Sequence, residues 1–246
     1  MDITETITIE DRYCGPPDSA NGGYAAGLLA QHMTAAPQWG TWTEVTLRAP
    51  IPMGRPLPIN AGPPATVADA ATTVMEGRIL AGDPPEGGGV PPVPLAQARK
   101  ASRHYRGLTS HPFPTCWVCG PGRAPHDGLH LYPGLVEPGR TACVWEVQPG
   151  HARPDGIVPA TSVWSALDCP GAWTVLDEGV VMLLGRIAAS VEAVPDIGDE
   201  CVVMGALIGV SGRKVFTATS AYAPDGAPLG HAVATWITLP GSRPVA

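Results

Sequence analysis

Three small groups of residues in this sequence could do chemistry. Asp168 is a carboxylate in an otherwise apolar run that includes Val163, Trp164, Ala166, Leu167, Ala172 and Trp173. A carboxylate in such surroundings is costly unless it is paired or used, and when partly desolvated it can act as a nucleophile or as general base on water. The second group is Asn21-Gly22-Gly23, at the opening of an apolar stretch that runs to about His32. The first backbone N–H groups of a helix have no partner inside it, and the helix dipole favours negative charge there, so they can polarise a carbonyl. Glycine at both positions would let a substrate oxygen approach the backbone. Each group has a plainer alternative. Asp168 could only hydrogen-bond the backbone around a kink at Pro170, and the glycines could only let a loop pack closely on a sheet. The third group is Cys116-x-x-Cys119, which with His111, His126 or His130 could hold zinc. No second Cys-x-x-Cys accompanies it, and no βαβ pattern supports redox chemistry. The reading is a tight turn with small buried thiols, no metal ligands and no cofactor.

These residues must be positioned by the elements around them, and those elements read as one supersecondary unit written twice: an apolar helix followed by strands that wrap it. In the second copy a helix spans about 161–175, and apolar runs follow at 180–191, 200–210, 213–223 and 229–239. Ser211-Gly212 and Pro224-Asp225-Gly226 punctuate the last three as hairpin turns. In the first copy the alternating segment 4–10 predicts a short strand, Ser19 or Asn21 caps the helix, and Pro37 stops it. Strand-like stretches follow near 41–51 and 65–80, separated by prolines that suggest edge strands. Residues 82–94 form the best linker, with a short helix after it near 94–106. The expected organisation is an N-terminal half over 1–82, a Pro/Gly-rich linker with its short helix over 83–111, and a C-terminal half over 112–246. A helix that is hydrophobic on most sides must be enclosed, and a curved antiparallel sheet encloses it economically.

Composition excludes several classes. The 246 residues are 44% hydrophobic and only 15% charged, enough for a sizeable core. A net charge of −7, with Lys100 and Lys214 the only lysines, leaves no footprint for nucleic acid. No apolar run reaches the ~18 residues of a membrane span, and the N-terminus lacks the basic and apolar parts of a signal peptide. A cytoplasmic protein with free thiols is expected.

Three passages resemble the hotdog fold in its double form, and specifically acyl-CoA thioesterases of the phenylacetate-pathway type. Ser19-Ala-Asn-Gly-Gly-Tyr-Ala-Ala-Gly-Leu-Leu-Ala30 is similar to the Asn-Gly-Gly or His-Gly-Gly opening of the central hotdog helix. Cys116-Trp-Val-Cys-Gly-Pro121, leading into Asp127-Gly-Leu-His-Leu131, is similar to the segment that precedes the second unit in that family, and Asp168 falls where the family carries an acidic residue. The resemblance implies an α+β double hotdog, two curved antiparallel sheets each wrapping a central helix. It further implies hydrolysis of an acyl thioester, with backbone N–H groups at Gly22 and Gly23 as the oxyanion hole and Asp168 as base or nucleophile. Asn21 or Gln31 could position the thioester or a water, and either could instead be a cap or surface residue. Trp164 and Trp173 read as core residues, although one of them could line an acyl pocket. In the basic cluster Arg99, Lys100, Arg103, His104 and Arg106, the arginines Arg103 and Arg106 could hold phosphates of a coenzyme A moiety carried by the substrate; a solvated helix face is the plainer account.

The chain departs from a symmetric pair. The first helix has the glycines but Ala30 and Gln31 in place of an acid, and the second has Asp168 but Pro159-Ala160-Thr161 at its start. Two complementary half-sites can compose one site, with Gly22 and Gly23 facing Asp168 across the paired helices, or they can equally be a decayed pair that only binds acyl thioesters. Enoyl-thioester hydration ranks lower, because His32 and His151 match no hydratase spacing. A small-molecule thioester is the expected partner, with nucleic acid and membrane excluded and a homo-oligomer left open.

Overall fold

The computed structural model describes residues 5–33, 39–81 and 85–243. Pro37, expected to stop the first helix, lies outside the described residues, as does part of the 82–94 linker. The first half contains β1 (Thr6–Thr8), α1 (Gly22–His32), β2 (Thr43–Leu47), β3 (Pro56–Asn60), β4 (Ala65–Asp69) and β5 (Thr72–Ile79). After α2 (Leu95–Ser102), the second half contains β6 (Gly134–Glu137), β7 (Arg140–Glu146), α3 (Ala160–Ala166), α4 (Cys169–Ala172), β8 (Met182–Val191), β9 (Glu200–Ser211), β10 (Lys214–Tyr222) and β11 (Pro228–Thr238). Among the described residues no helix is long and apolar enough to cross a membrane.

The eleven strands of the described residues form one antiparallel sheet in the order β1-β3-β4-β5-β2-β8-β11-β10-β9-β7-β6. The order holds a repeat that the sequence shows only faintly. The run strand, helix, four strands occurs twice, as β1-α1-β2-β3-β4-β5 and as β7-α3/α4-β8-β9-β10-β11. The sheet orders β1-β3-β4-β5-β2 and β7-β9-β10-β11-β8 are then the same permutation. The two copies meet where β2 pairs with β8, from Thr43 opposite Ala189 to Thr46 opposite Arg186.

Several elements differ from their sequence expectation for local reasons. The stretch 65–80 is a hairpin, turned at Ala70 with φ 51°. The proline-rich segment still yields β3, whose Pro56 and Pro58 point outward while Leu57 and Ile59 are buried, as befits a strand near a sheet edge. Strands β6 and β7 stand before the second helix, in a region where the sequence pattern predicts none. β7 lacks polar alternation because both its faces are covered: Cys143 and Trp145 enter the main core, while Ala142 and Val144 pack in a smaller cluster with Ala98 and Ala101 of α2. The expected second helix is broken, with Leu167 and Asp168 between α3 and α4.

The central helices α1 and α3 touch backbone to side chain. A methyl group at Gly23 would stand 2.6 Å from the Trp164 carbonyl oxygen, and one at Gly27 would stand 2.8 Å from Trp164 Cβ. Glycine four residues apart on one helix face permits this approach, and it fixes how the opening of α1 meets the end of α3.

Candidate active site

Asp168 comes to the opening of α1 from a point 147 residues away in sequence. It stands at the break between α3 and α4, where Pro170 lies in the first turn of α4 and so removes an N–H that would lack a helical partner anyway. The sheet holds this break in place. Thr141 Oγ1 donates to the Pro170 carbonyl at 2.8 Å, and the bare backbone of Gly205 makes room for that oxygen, since a Cβ there would sit 2.3 Å from it.

The carboxylate is held by one oxygen. Oδ2 accepts from Asn21 Nδ2 at 2.8 Å and from the Gly23 N–H at 2.9 Å, while Oδ1 is buried and has no hydrogen-bond partner among the described residues. With Asp168 only 2% exposed, burial pushes its pKa up to about 7. The Gly23 N–H opposes that rise, the nearby Cys116 adds to it, and Asn21 opposes it again. The group is thereby poised to take up or release a proton near neutrality.

Asn21 serves two elements at once. Its Oδ1 caps α1 by accepting the Tyr24 N–H at 2.9 Å, which leaves Nδ2 for Asp168. Serine could cap but could not also reach across with a second arm, and aspartate would set one carboxylate against another. The Gly23 N–H, expected to bind a substrate oxygen, is given to Asp168 instead. Gly22 supplies the first helical N–H, which has no partner within α1, and it lines the adjoining cavity.

That cavity has a volume of about 370 Å³ and a mainly apolar wall, including Leu47, Ile51, Phe113, Trp173, Leu176 and Leu184. Asn21, Gly22 and Asp168 also line it. Of the other residues singled out in the sequence, Trp164 is buried at the helix crossing and is not among the lining residues, whereas Trp173 is. Gln31 is exposed near the far end of α1. Arg103 is exposed; Arg106 donates to the carbonyl of the wall residue Leu176 at 3.4 Å and stands 3.9 Å from Asp177. Arg99 is tied to Glu200 and Glu146. Arg48 carries no mark in the sequence, yet it lines the cavity and pairs with Glu76 at 2.6 Å. Its signal is available only through the fold, because nothing around residue 48 sets it apart from other strand ends.

The cysteine pair does not stand alone. Cys116, Cys119 and Cys169 bring their sulfurs within 4.8 Å of one another, and His111 Nε2 lies 3.4 Å from Cys119 Sγ. His126 and His130, four residues apart, turn elsewhere: His126 meets Gln148 and His130 meets Tyr132. Cys169, the neighbour of Asp168, gives no sign in the sequence of belonging with them. His32 is bound to Glu5, and His151 to the Gly128 carbonyl and Trp145, so neither candidate acid–base histidine reaches the cavity.

No family model and no curated protein matches the chain. Solved structures do. A protein of unknown function with a hot dog fold from Alicyclobacillus acidocaldarius superposes with a TM-score of 0.62 at 13% identity, over 99% of this chain and 98% of its own. A tesB protein from Mycobacterium avium subs paratuberculosis gives 0.59 at 13% identity, over 92% and 90%. A provisionally assigned thioesterase II from Thermobifida fusca gives 0.59 at 14% identity, over 96% and 96%. At such identities the likeness is one of fold, and it extends over nearly the whole chain: this protein has the hotdog fold.

Proposed function

We propose that the chain is a double hotdog whose two halves compose one site, and that the site hydrolyses an acyl thioester of coenzyme A. The observation that carries this reading is the carboxylate of Asp168, buried at the end of an apolar cavity and held by one oxygen against the opening of α1. The thioester-processing names among the hotdog neighbours point the same way.

The acyl chain occupies the apolar cavity and its carbonyl oxygen takes the Gly22 N–H, where the helix dipole favours developing negative charge. Asp168 Oδ1 accepts a proton from water as the water oxygen bonds to the carbonyl carbon. The tetrahedral intermediate then expels the thiolate, which takes the proton back from Asp168. Direct attack by Oδ1, with water resolving the resulting anhydride, balances equally well. Asn21 and the Gly23 N–H keep Oδ2 fixed in either course. The first experiment is release of free thiol from short, long and aromatic acyl-CoAs. Turnover on at least one class supports the reading, and tight acyl-CoA binding with no turnover replaces it with a silent binding protein.

Two expectations follow from the geometry. Because the reactive form is the carboxylate, kcat/KM rises with pH through about 7 and levels off above it. A profile that falls through the same range excludes Asp168 as base or nucleophile. Of the two arginines assigned to phosphate binding, Arg106 is the one beside the cavity wall, through its hydrogen bond to the Leu176 carbonyl, which makes it the one to substitute. Arg106→Ala is expected to raise KM for acyl-CoA by about fivefold, in keeping with an exposed ion pair. KM for an acyl-pantetheine that lacks the nucleotide should not move; a parallel rise for both substrates removes Arg106 from phosphate binding.

A further inference from the structure

Three thiols converge on one wall of the cavity, from two loops that are distant in sequence. Cys116 and Cys119 belong to a tight turn. The Gly120 N–H donates to the Cys116 carbonyl at 2.9 Å, and a side chain at Gly120 would meet the Cys116 nitrogen at 2.5 Å. The turn is fixed to the rest of the fold by the Trp117 N–H on the Cys14 carbonyl at 2.7 Å and by the Leu129 and Leu131 N–H groups on the Trp117 and Val118 carbonyls. Cys169 arrives from the break between α3 and α4, whose position the Thr141–Pro170 hydrogen bond sets. All three thiols are buried.

The spacing is that of a metal site. Zinc bound by thiolates at ~2.3 Å in tetrahedral geometry holds its sulfurs about 3.8 Å apart. Cys116 Sγ and Cys169 Sγ are 3.9 Å apart, and the three sulfurs together lie within 4.8 Å. We propose that Cys116, Cys119 and Cys169 bind one thiophilic divalent metal ion, zinc, with its fourth position open toward the cavity. The sequence alone argues against metal because it displays only two of these ligands as a pair.

The backbone N–H groups of Val118 and Cys119 are directed at the Cys116 sulfur. Backbone N–H donors on the first sulfur of a Cys-x-x-Cys turn preorganise it to bind a cation. His111 completes the outer shell. Its Nδ1 accepts the Phe113 N–H at 2.9 Å, which leaves the ring proton on Nε2, directed at Cys119 Sγ. The ring therefore supports a ligand and is not one, and the fourth coordination position falls to water or to an incoming sulfur. Binding converts three thiols to thiolates and releases their protons to solvent. The assembled site carries one net negative charge, from three thiolates and a divalent ion.

The test is elemental analysis of protein produced with zinc and purified without chelator. About one zinc per chain is expected, falling to near none in Cys169→Ser. Because a serine variant can fail to fold, the wild type is also stripped and reloaded with cobalt. A thiolate-to-cobalt charge-transfer band supports the site, and a change in the cobalt ligand-field bands on adding a small thiol supports the open position. Wild type that carries no zinc and gives no charge-transfer band overturns the site. A cobalt spectrum indifferent to thiols overturns the open position. None of these readouts needs turnover, so the metal site and thioester hydrolysis stand or fall separately.

Discussion

Replacing Asp168 with asparagine is expected to lower thioester turnover by about 10²-fold or more, the usual consequence of losing a general base or nucleophile. The substitution is nearly isosteric, and the new side-chain carbonyl can accept the same two hydrogen bonds that Asn21 Nδ2 and the Gly23 N–H now give to Oδ2. What disappears is the ability to hold a proton or attack. The same change has a second, opposite effect that separates chemistry from folding. The Asp168 carboxyl titrates near 3.8 in the unfolded chain and at about 7 in the fold. Between those values the folded protein keeps a proton that the unfolded chain has released. The contribution of Asp168 to stability therefore falls as pH rises from about 4 to 7 and levels off above that. Burial of His151, which pushes its pKa down to about 4, acts in the opposite direction over that range, so the effect is read as the difference between wild type and variant. The sum of the Asp168 loss is on the order of a few kcal/mol. The asparagine amide does not titrate, so the denaturation midpoint of Asp168→Asn should lack this slope and exceed the wild type's at pH 8. A variant that is inactive and less stable at every pH would point to misfolding, and one with full activity would remove Asp168 from the reaction.

The second large effect is expected at Gly23. An alanine methyl would be driven to 2.6 Å from the Trp164 carbonyl oxygen and 2.7 Å from Asp168 Cβ. Backbone and a Cβ cannot swing aside as a side-chain tip can, so α1 and α3 must separate. Gly23→Ala should cost about 1–3 kcal/mol of stability, as overpacking in a core does, and the separation should break the Gly23–Asp168 hydrogen bond and lower turnover with it. Gly209, on β9, has no atom within 4 Å of the place a methyl would take, and its φ lies outside the left-handed region; Gly209→Ala is the control and should change neither. Equal midpoints for Gly23→Ala and wild type would mean that the helices are not in contact there.

How much of this could be read from the residues follows from how local each signal is. The last three strands were legible because Ser211-Gly212 and Pro224-Asp225-Gly226 are turn chemistry, and Gly212 and Gly226 do adopt positive φ. Of the two caps that the residues offer for α1, Ser19 and Asn21, it is Asn21 that caps it. Strand β7 was not legible, because α2 covers the face that would otherwise be polar and erases the alternation. Asp168 was conspicuous as a carboxylate among apolar residues, and the complementary half-sites set Gly22 and Gly23 opposite it; that Asn21 joins Gly23 in holding it, and which oxygen they hold, depends on a helix break that Pro170 marks only ambiguously. Trp164 and Trp173 look alike in sequence, nine residues apart in one apolar run. Only the crossing of α1 over α3 sends the first into a helix contact while the second faces the cavity. Cys169 is the same kind of case, since one cysteine beside a proline carries no hint of two others about fifty residues earlier.

The repeated topology gives the chain two equivalent helix openings, at Gly22 in α1 and Ala160 in α3, and two equivalent places for an acid. Counting from those openings, the position that holds Asp168 in the second half holds Ala30 in the first. A pair of identical halves would carry two acids facing two openings. Here one half carries the glycine opening and the other the acid, so on the composite-site reading proposed above neither half holds a complete site alone. On that reading a substitution at Asp168 is judged by chemistry and one at Ala160 or Ala30 by packing, while Gly22 answers to both, since a methyl there would stand 2.8 Å from Leu184.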